Sequence, residues 1–98
     1  MYGLIGKIIA EKGQREELIR ILLEGIAGMP GCMSYIVAKD QSDPDAIWVT
    51  EVWENQARHQ GSLSFPSVQN AIEKGKPLIT GFGARYETTP VGGHGLDP

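Results

Sequence analysis

The chain has 98 residues, 41% of them hydrophobic and 21% charged, with a formal net charge of −3. That balance fits one globular domain and excludes a disordered chain. The nine Lys and Arg residues are scattered, which argues against nucleic acid as a partner, because a phosphate-binding surface needs clustered cations.

Residues 2–10 (YGLIGKIIA) read as a strand with apolar residues in both alternation sets, the pattern of a strand covered on both faces. The apolar run at the N-terminus is too short for a signal peptide, and no stretch approaches a membrane span. Glu11-Lys12-Gly13 is a turn. Residues 14–27 read as a helix with Leu18, Leu22 and Ile26 as an apolar stripe flanked by Ile19 and Leu23. Glu16 and Glu17 suit its first turn, and Glu16 is placed to pair with Arg20. Gly28 and Pro30 end it.

Residues 32–39 read as a second strand. Its Cys32 is the only cysteine, so no internal disulfide or cysteine zinc cluster can form, and a reducing, cytoplasmic setting is expected. A small buried hydrophobe is the default reading for it. A turn follows from Asp40 to Asp45 around Pro44. Residues 46–54 read as a third strand, with Ile47, Val49, Glu51 and Trp53 on one face and Trp48, Thr50, Val52 and Glu54 on the other. Asn55 suits the N-cap of a short helix through His59. Pro66 suits the first position of a helix over 66–75, with Val68, Ala71 and Ile72 inward and Gly75 as its stop. Residues 79–88 read as a fourth strand, weakened by Gly81 and Gly83. The glycine-rich residues 90–98, with His94, are expected to form a tail outside a domain of residues 1–89.

The order β-α-β-β-(α)α-β predicts an α+β ferredoxin-like split βαβ sandwich, a four-stranded antiparallel sheet with helices on one face. The uncovered face is also apolar, and a large exposed apolar patch marks an interface. A two-fold homodimer with sheet faces packed together is expected, as is usual for chains this short.

One stretch gathers a Trp, a carboxylate and a His within nine residues, from Glu51-Val52-Trp53-Glu54 to His59. With Lys12-Gly13, Met29-Pro30-Gly31-Cys32, Tyr35, Asp43-Pro44, Leu63 and Pro66, it resembles the antibiotic biosynthesis monooxygenase family, also called the quinol-monooxygenase-like family. The resemblance spans residues 2 to about 89. It implies a dimeric α+β barrel that binds a small aromatic or quinol-like molecule between helices and sheet, with O2 as co-substrate and no cofactor or metal. The matching position for an Asn of haem-degrading relatives is Gly6, which disfavours haem degradation. Many members carry a His just before the residue matching Leu63; here that position is Ser62, with His59 three residues earlier on the same helix side.

Cofactor-free oxygenation needs a base, an apolar slot for a ring, and donors for the developing oxyanion. His59 is the candidate base, since an ordinary histidine titrates near pH ~6.5. Trp53 and Phe65 are candidate walls, Tyr35 a donor, and Arg85 a partner for an anionic oxygen. Glu51, on a covered face, needs a partner: either Arg85 or a lysine in an ion pair, or His59, which it would orient. Two other functions compete with a monooxygenase of phenols or quinols: a non-catalytic dimeric small-molecule-binding or stress-response protein, and an isomerase or degradative enzyme for a metabolite.

Overall fold

The computed structural model describes residues 1–26 and 28–96. In chain order the elements are β1 (Tyr2–Ala10), α1 (Arg15–Gly25), β2 (Cys32–Lys39), β3 (Ala46–Trp53), α2 (Gln56–Ser62), α3 (Pro66–Gly75), a 3-10 turn (Lys76–Leu78) and β4 (Ile79–Thr88). The strands form one antiparallel sheet in the order β2-β3-β1-β4, the ferredoxin-like arrangement expected. The two strands whose alternation is apolar on both faces, β1 and β3, are the central ones.

The helix-covered face follows from register. Leu4 stands opposite Glu51, Gly6 opposite Val49 and Ile8 opposite Ile47, while Tyr35 and Val37 of β2 stand opposite Glu51 and Val49. Leu18 of α1 closes over this row, and Ala10, Leu18, Ile47 and Val49 form the buried centre. Full burial of one such aliphatic side chain contributes about 1.5–3 kcal/mol.

Helix α1 differs from expectation in length and rotation. It spans Arg15–Gly25 rather than 14–27, and Ala27 lies outside the described residues. Ile21 and Gly25 are buried with Leu18, whereas Leu23 is exposed. The helix has two partners, the sheet below and α3 beside it, so its buried arc is wider than one stripe. The contact with α3 is close: a Cβ on Gly25 would come within 2.6 Å of the Ala71 Cβ. Arg20 pairs with Glu17 and Glu24, and Glu16 reaches across to Lys39 instead of to Arg20. A cross-element partner here replaces the in-helix one.

Helix α3 leans on α1 and packs little against the sheet. Its apolar side is narrow, and Ile72 remains half-exposed. The gap beneath it, above β1 and β4, opens into the candidate functional site. On the sheet below, Gly6 presents an unfilled position: nothing lies within 4 Å of where its Cβ would stand.

The β2–β3 turn is built around carboxylates. Asp40 Oδ1 accepts the Ser42 and Asp43 N–H groups at 2.8 Å each, and Oδ2 accepts Trp48 Nε1–H at 2.8 Å. Lys7 Nζ lies 3.8 Å from the same oxygen and over the Trp48 ring. The Asp43 N–H, then Trp48 and the Ser42 N–H, hold the Asp40 carboxyl down at about 2. A depressed folded-state pKa stabilises the fold above the ordinary Asp range near ~4 and loses that contribution as pH falls through the folded value. Asp40→Asn is therefore expected to unfold earlier than the parent at neutral pH, with the gap closing between pH 4 and pH 2. Urea midpoints measured across that range check it, and a gap that stays constant to pH 2 would contradict it.

The opposite sheet face carries no helix. Ile5 and Val52 lie on it, with Ile36 of β2 and Tyr86 of β4 in the same cross-strand rows; Ile36 and Tyr86 are 56% and 57% exposed. After β4 the chain is irregular through residue 96, and Pro90 lies over Gly3 at the rim of this face. Asp97 and Pro98, the end of the expected tail, lie outside the described residues.

Candidate functional site

A cavity of about 830 Å³ lies between the helices and the sheet. Leu18 and Leu22 of α1, Ile72 of α3 and Ile8 of β1 supply apolar walls. Polar groups gather at the end where β3 hands over to α2, and that corner is set by local sequence.

Strand alternation puts Glu51 and Trp53 on the same face, two residues apart. Trp53 is 1% exposed, and its Nε1–H donates to Glu51 Oε1 at 3.0 Å. Asn55 then stops the strand and caps α2, its Oδ1 accepting the Arg58 N–H at 2.9 Å. This start phases the short helix. Arg58 points outward to Glu54 at 3.5 Å, and His59 turns inward, with Nε2 at 3.9 Å from Glu51 Oε1. The His59 ring meets Trp53 edge-on with centroids 5.5 Å apart, and Tyr2 at 5.6 Å. Edge-to-face contact of this kind contributes about 0.5–1.5 kcal/mol, so packing holds the ring beside the carboxylate. Both side chains of the His59–Glu51 pair are 17% exposed.

Tyr35 stands opposite Glu51 on β2 and lines the same cavity. Burial, reinforced by the Glu51 charge, pushes its hydroxyl pKa well up, so Tyr35 stays a neutral donor at physiological pH. Cys32 lies nearby at a bulge, its Sγ–H directed at the Ser34 carbonyl. Burial and then Glu51 raise its thiol pKa, which disfavours a thiolate nucleophile.

The structure thus brings His59, Glu51, Trp53 and Tyr35 together around one space. It does not bring Phe65 or Arg85 there. Phe65 is spent as the residue preceding Pro66, where it occupies the N-cap position of α3 in extended backbone, and it is not part of the cavity lining. Arg85 lies on the helix side of the sheet, opposite Gly6, but is 60% exposed at its side chain and pairs with Glu87 at 3.7 Å. The register slip between Gly6 and Ile8 breaks the simple alternation of β4. The partner of Glu51 is accordingly Trp53, with His59 beside it, not Arg85.

Ser62, marked in the sequence only as the position of a missing His, joins the lining, and other residues reach the site with no sequence signal of their own. Ser62 is 3% exposed and donates its hydroxyl to the His59 carbonyl at 2.6 Å; it and His59 both line the cavity, as their spacing on one helix side allows. Tyr2 reaches His59 only because the β1–β3 register puts it opposite Trp53. Lys76 and Phe82 enter the wall from the 3-10 turn and from β4. Among the described residues no group of three or more His, Cys, Asp or Glu side chains is placed to hold a metal ion, and no helix is long and apolar enough to cross a membrane.

Residues 1–74 match the family model described as antibiotic biosynthesis monooxygenase. The chain belongs to the antibiotic biosynthesis monooxygenase family. A crystal structure from Chloroflexus aurantiacus J-10-fl that carries the family's name is 59% identical over 98% of both chains, with a TM-score of 0.95. Another, from Deinococcus radiodurans, is 25% identical over 95% of both chains, with a TM-score of 0.77. PA3566 from Pseudomonas aeruginosa, 20% identical over 93% of this chain and 94% of that one with a TM-score of 0.79, shares the fold. Uncharacterized protein sll1783 of Synechocystis sp. is 27% identical over 77 residues, or 76% of this chain. The chain spans about half the length of that curated relative, 52% of which is matched. The fold and family expected from the Glu51–His59 stretch are therefore those of an antibiotic biosynthesis monooxygenase.

Proposed function

We propose that this protein is a cofactor-independent monooxygenase of a small phenolic or quinol compound. The observation that carries the reading is a His59–Glu51 pair at 3.9 Å, set at the polar end of an otherwise largely apolar cavity. In this reading His59 takes the substrate hydroxyl proton. Glu51, held in place by Trp53 Nε1–H, puts a negative charge beside the imidazolium that forms. Tyr35 donates to the substrate oxygen.

The chemistry balances without another reductant. The electron-rich anion gives one electron to O2, the two radicals combine at a ring carbon as a peroxide, and the His59 imidazolium returns its proton to make the hydroperoxide. Loss of the hydrogen on that carbon with cleavage of the O–O bond leaves a carbonyl and releases water. One oxygen atom ends in the product and one in water. Excluding solvent from the slot favours this course over release of superoxide. Oxygen uptake with a panel of quinols and phenols, with product identified by mass, tests the reading directly. Tight binding of the same compounds without any uptake would instead favour a non-catalytic binding protein.

The same reading includes a homodimer through the open sheet face. Support comes from the apolar residues Ile5, Ile36, Val52 and Tyr86 of that face, which no helix of the described residues covers. Light scattering is expected to give twice the chain mass at micromolar concentration. Ile36→Glu should give a folded monomer, because a residue 56% exposed in the single chain loses little burial there. A well-folded parent monomer at that concentration would remove the dimer from the account.

A further inference from the structure

The cavity is longer than its polar corner requires. Glu51 stands opposite Leu4 of β1, whereas Ile79, which follows the Lys76–Leu78 turn, stands opposite Ala10 at the other end of the same strand. At ~3.3 Å per residue the two rows are about 20 Å apart. Both Glu51 and Ile79 line the cavity, so it runs along most of β1. Its two ends differ in charge. Besides His59, the ionisable groups of the lining are the Glu51 carboxylate and Tyr35 hydroxyl at the first end and the Lys76 ammonium at the second. Glu51 has an internal hydrogen-bond donor, but Lys76 enters none of the ion pairs of the described residues and is exposed. Between the ends the wall is apolar. The cavity-lining side chains of Leu63, Ile72 and Phe82 are 48%, 52% and 74% exposed, so the opening itself is apolar.

Such a slot fits one ligand chemistry better than a compact neutral ring. We propose that the substrate is an elongated amphiphile: a phenol or quinol head at His59 and Glu51, an apolar middle, and an anionic group, most simply a carboxylate, at Lys76. The ammonium supplies a positive charge, paired with no carboxylate of the described residues, where the tail would emerge. The Glu51 carboxylate repels an acid entering head-first, so the two ends together fix the orientation. This rests on the phenol-oxidising reading for the identity of the head group, but the Lys76 end is testable apart from any turnover.

The probes are 4-hydroxyphenylalkanoates of increasing chain length and their uncharged primary amides, with binding measured by calorimetry under nitrogen. Affinity should rise with length in both series through apolar burial. The carboxylate should gain an additional advantage over its amide, about fivefold, only in the longer members that span from His59 to Lys76. Lys76→Gln should abolish that difference and leave the amides unchanged, and Lys76→Arg should retain it. A carboxylate advantage that is absent at every length, or that survives in Lys76→Gln, overturns the proposal. Because oxygen is excluded, failure of catalysis leaves this test intact, and oxygen uptake with short neutral phenols tests the head-group chemistry separately.

Discussion

Replacing His59 with alanine is expected to lower turnover of a phenol or quinol substrate by about 10²-fold or more, with little change in binding. The magnitude is that of losing a positioned general base. The effect belongs in kcat because the proton moves only on the way to the transition state, whereas the apolar walls that bind the ring are untouched. The fold should survive, since the removed ring is on a short helix at the cavity edge and its packing against Trp53 contributes only about 0.5–1.5 kcal/mol. Glu51→Gln should fall between the parent and His59→Ala. It keeps the hydrogen bond from Trp53 but removes the charge beside the imidazolium. Oxygen uptake under saturating substrate, with circular dichroism as the control for folding, measures both. Parent-like turnover in His59→Ala would remove histidine from the chemistry.

The largest expected loss of stability is at Trp53. The side chain is 1% exposed, and truncation to alanine is expected to cost about 3–5 kcal/mol. That is a large share of the ~5–15 kcal/mol that holds a typical domain together. Trp53→Phe separates the two jobs of the residue. It retains most of the apolar burial but leaves the Glu51 carboxylate without its donor at 3.0 Å, at a cost of about 1–3 kcal/mol. Turnover should fall more than stability does, since Glu51 is then free to turn away from His59. Urea unfolding at one fixed protein concentration, which removes the contribution of assembly, gives the stability arm. If Trp53→Phe unfolds with the parent and turns over at the parent rate, the indole N–H is not what positions Glu51.

What could be read in advance divides along physical lines. Strand β4 was legible to the residue, and β1 and β2 likewise, because alternation and turn residues are local signals. Asn55 and Pro66 marked their helix starts because capping is local too. Glu51 and Trp53 were legible as a shared face for the same reason. His59 and Tyr35 were named as well, and both line the cavity, but much of the remaining lining was not foreseen. Arg85 looked available until the slip in β4 pairing and the adjacent Glu87 decided its surroundings, and neither is encoded at Arg85 itself. Phe65 was placed by the demands of the following proline. Ile21 and Gly25 became buried through α3, a partner roughly fifty residues away in sequence, and Tyr2 came to His59 through cross-strand register. Apart from Phe65, each miss involves a non-local contact.

The unfilled position at Gly6 has a consequence for how this scaffold can change. Glycine in a strand interior is a poor strand former, costing roughly 0.5–1 kcal/mol relative to alanine. Most positions inside a sheet are hemmed in, so altering one disturbs its neighbours. Here a new Cβ would meet nothing within 4 Å, on the helix-side row of β1 between Leu4 and Ile8. Replacing Gly6 with alanine therefore adds a methyl group to that row without a clash. This central strand thus keeps a vacancy at its midpoint that a small side chain can fill while the rest of the sheet stays as it is.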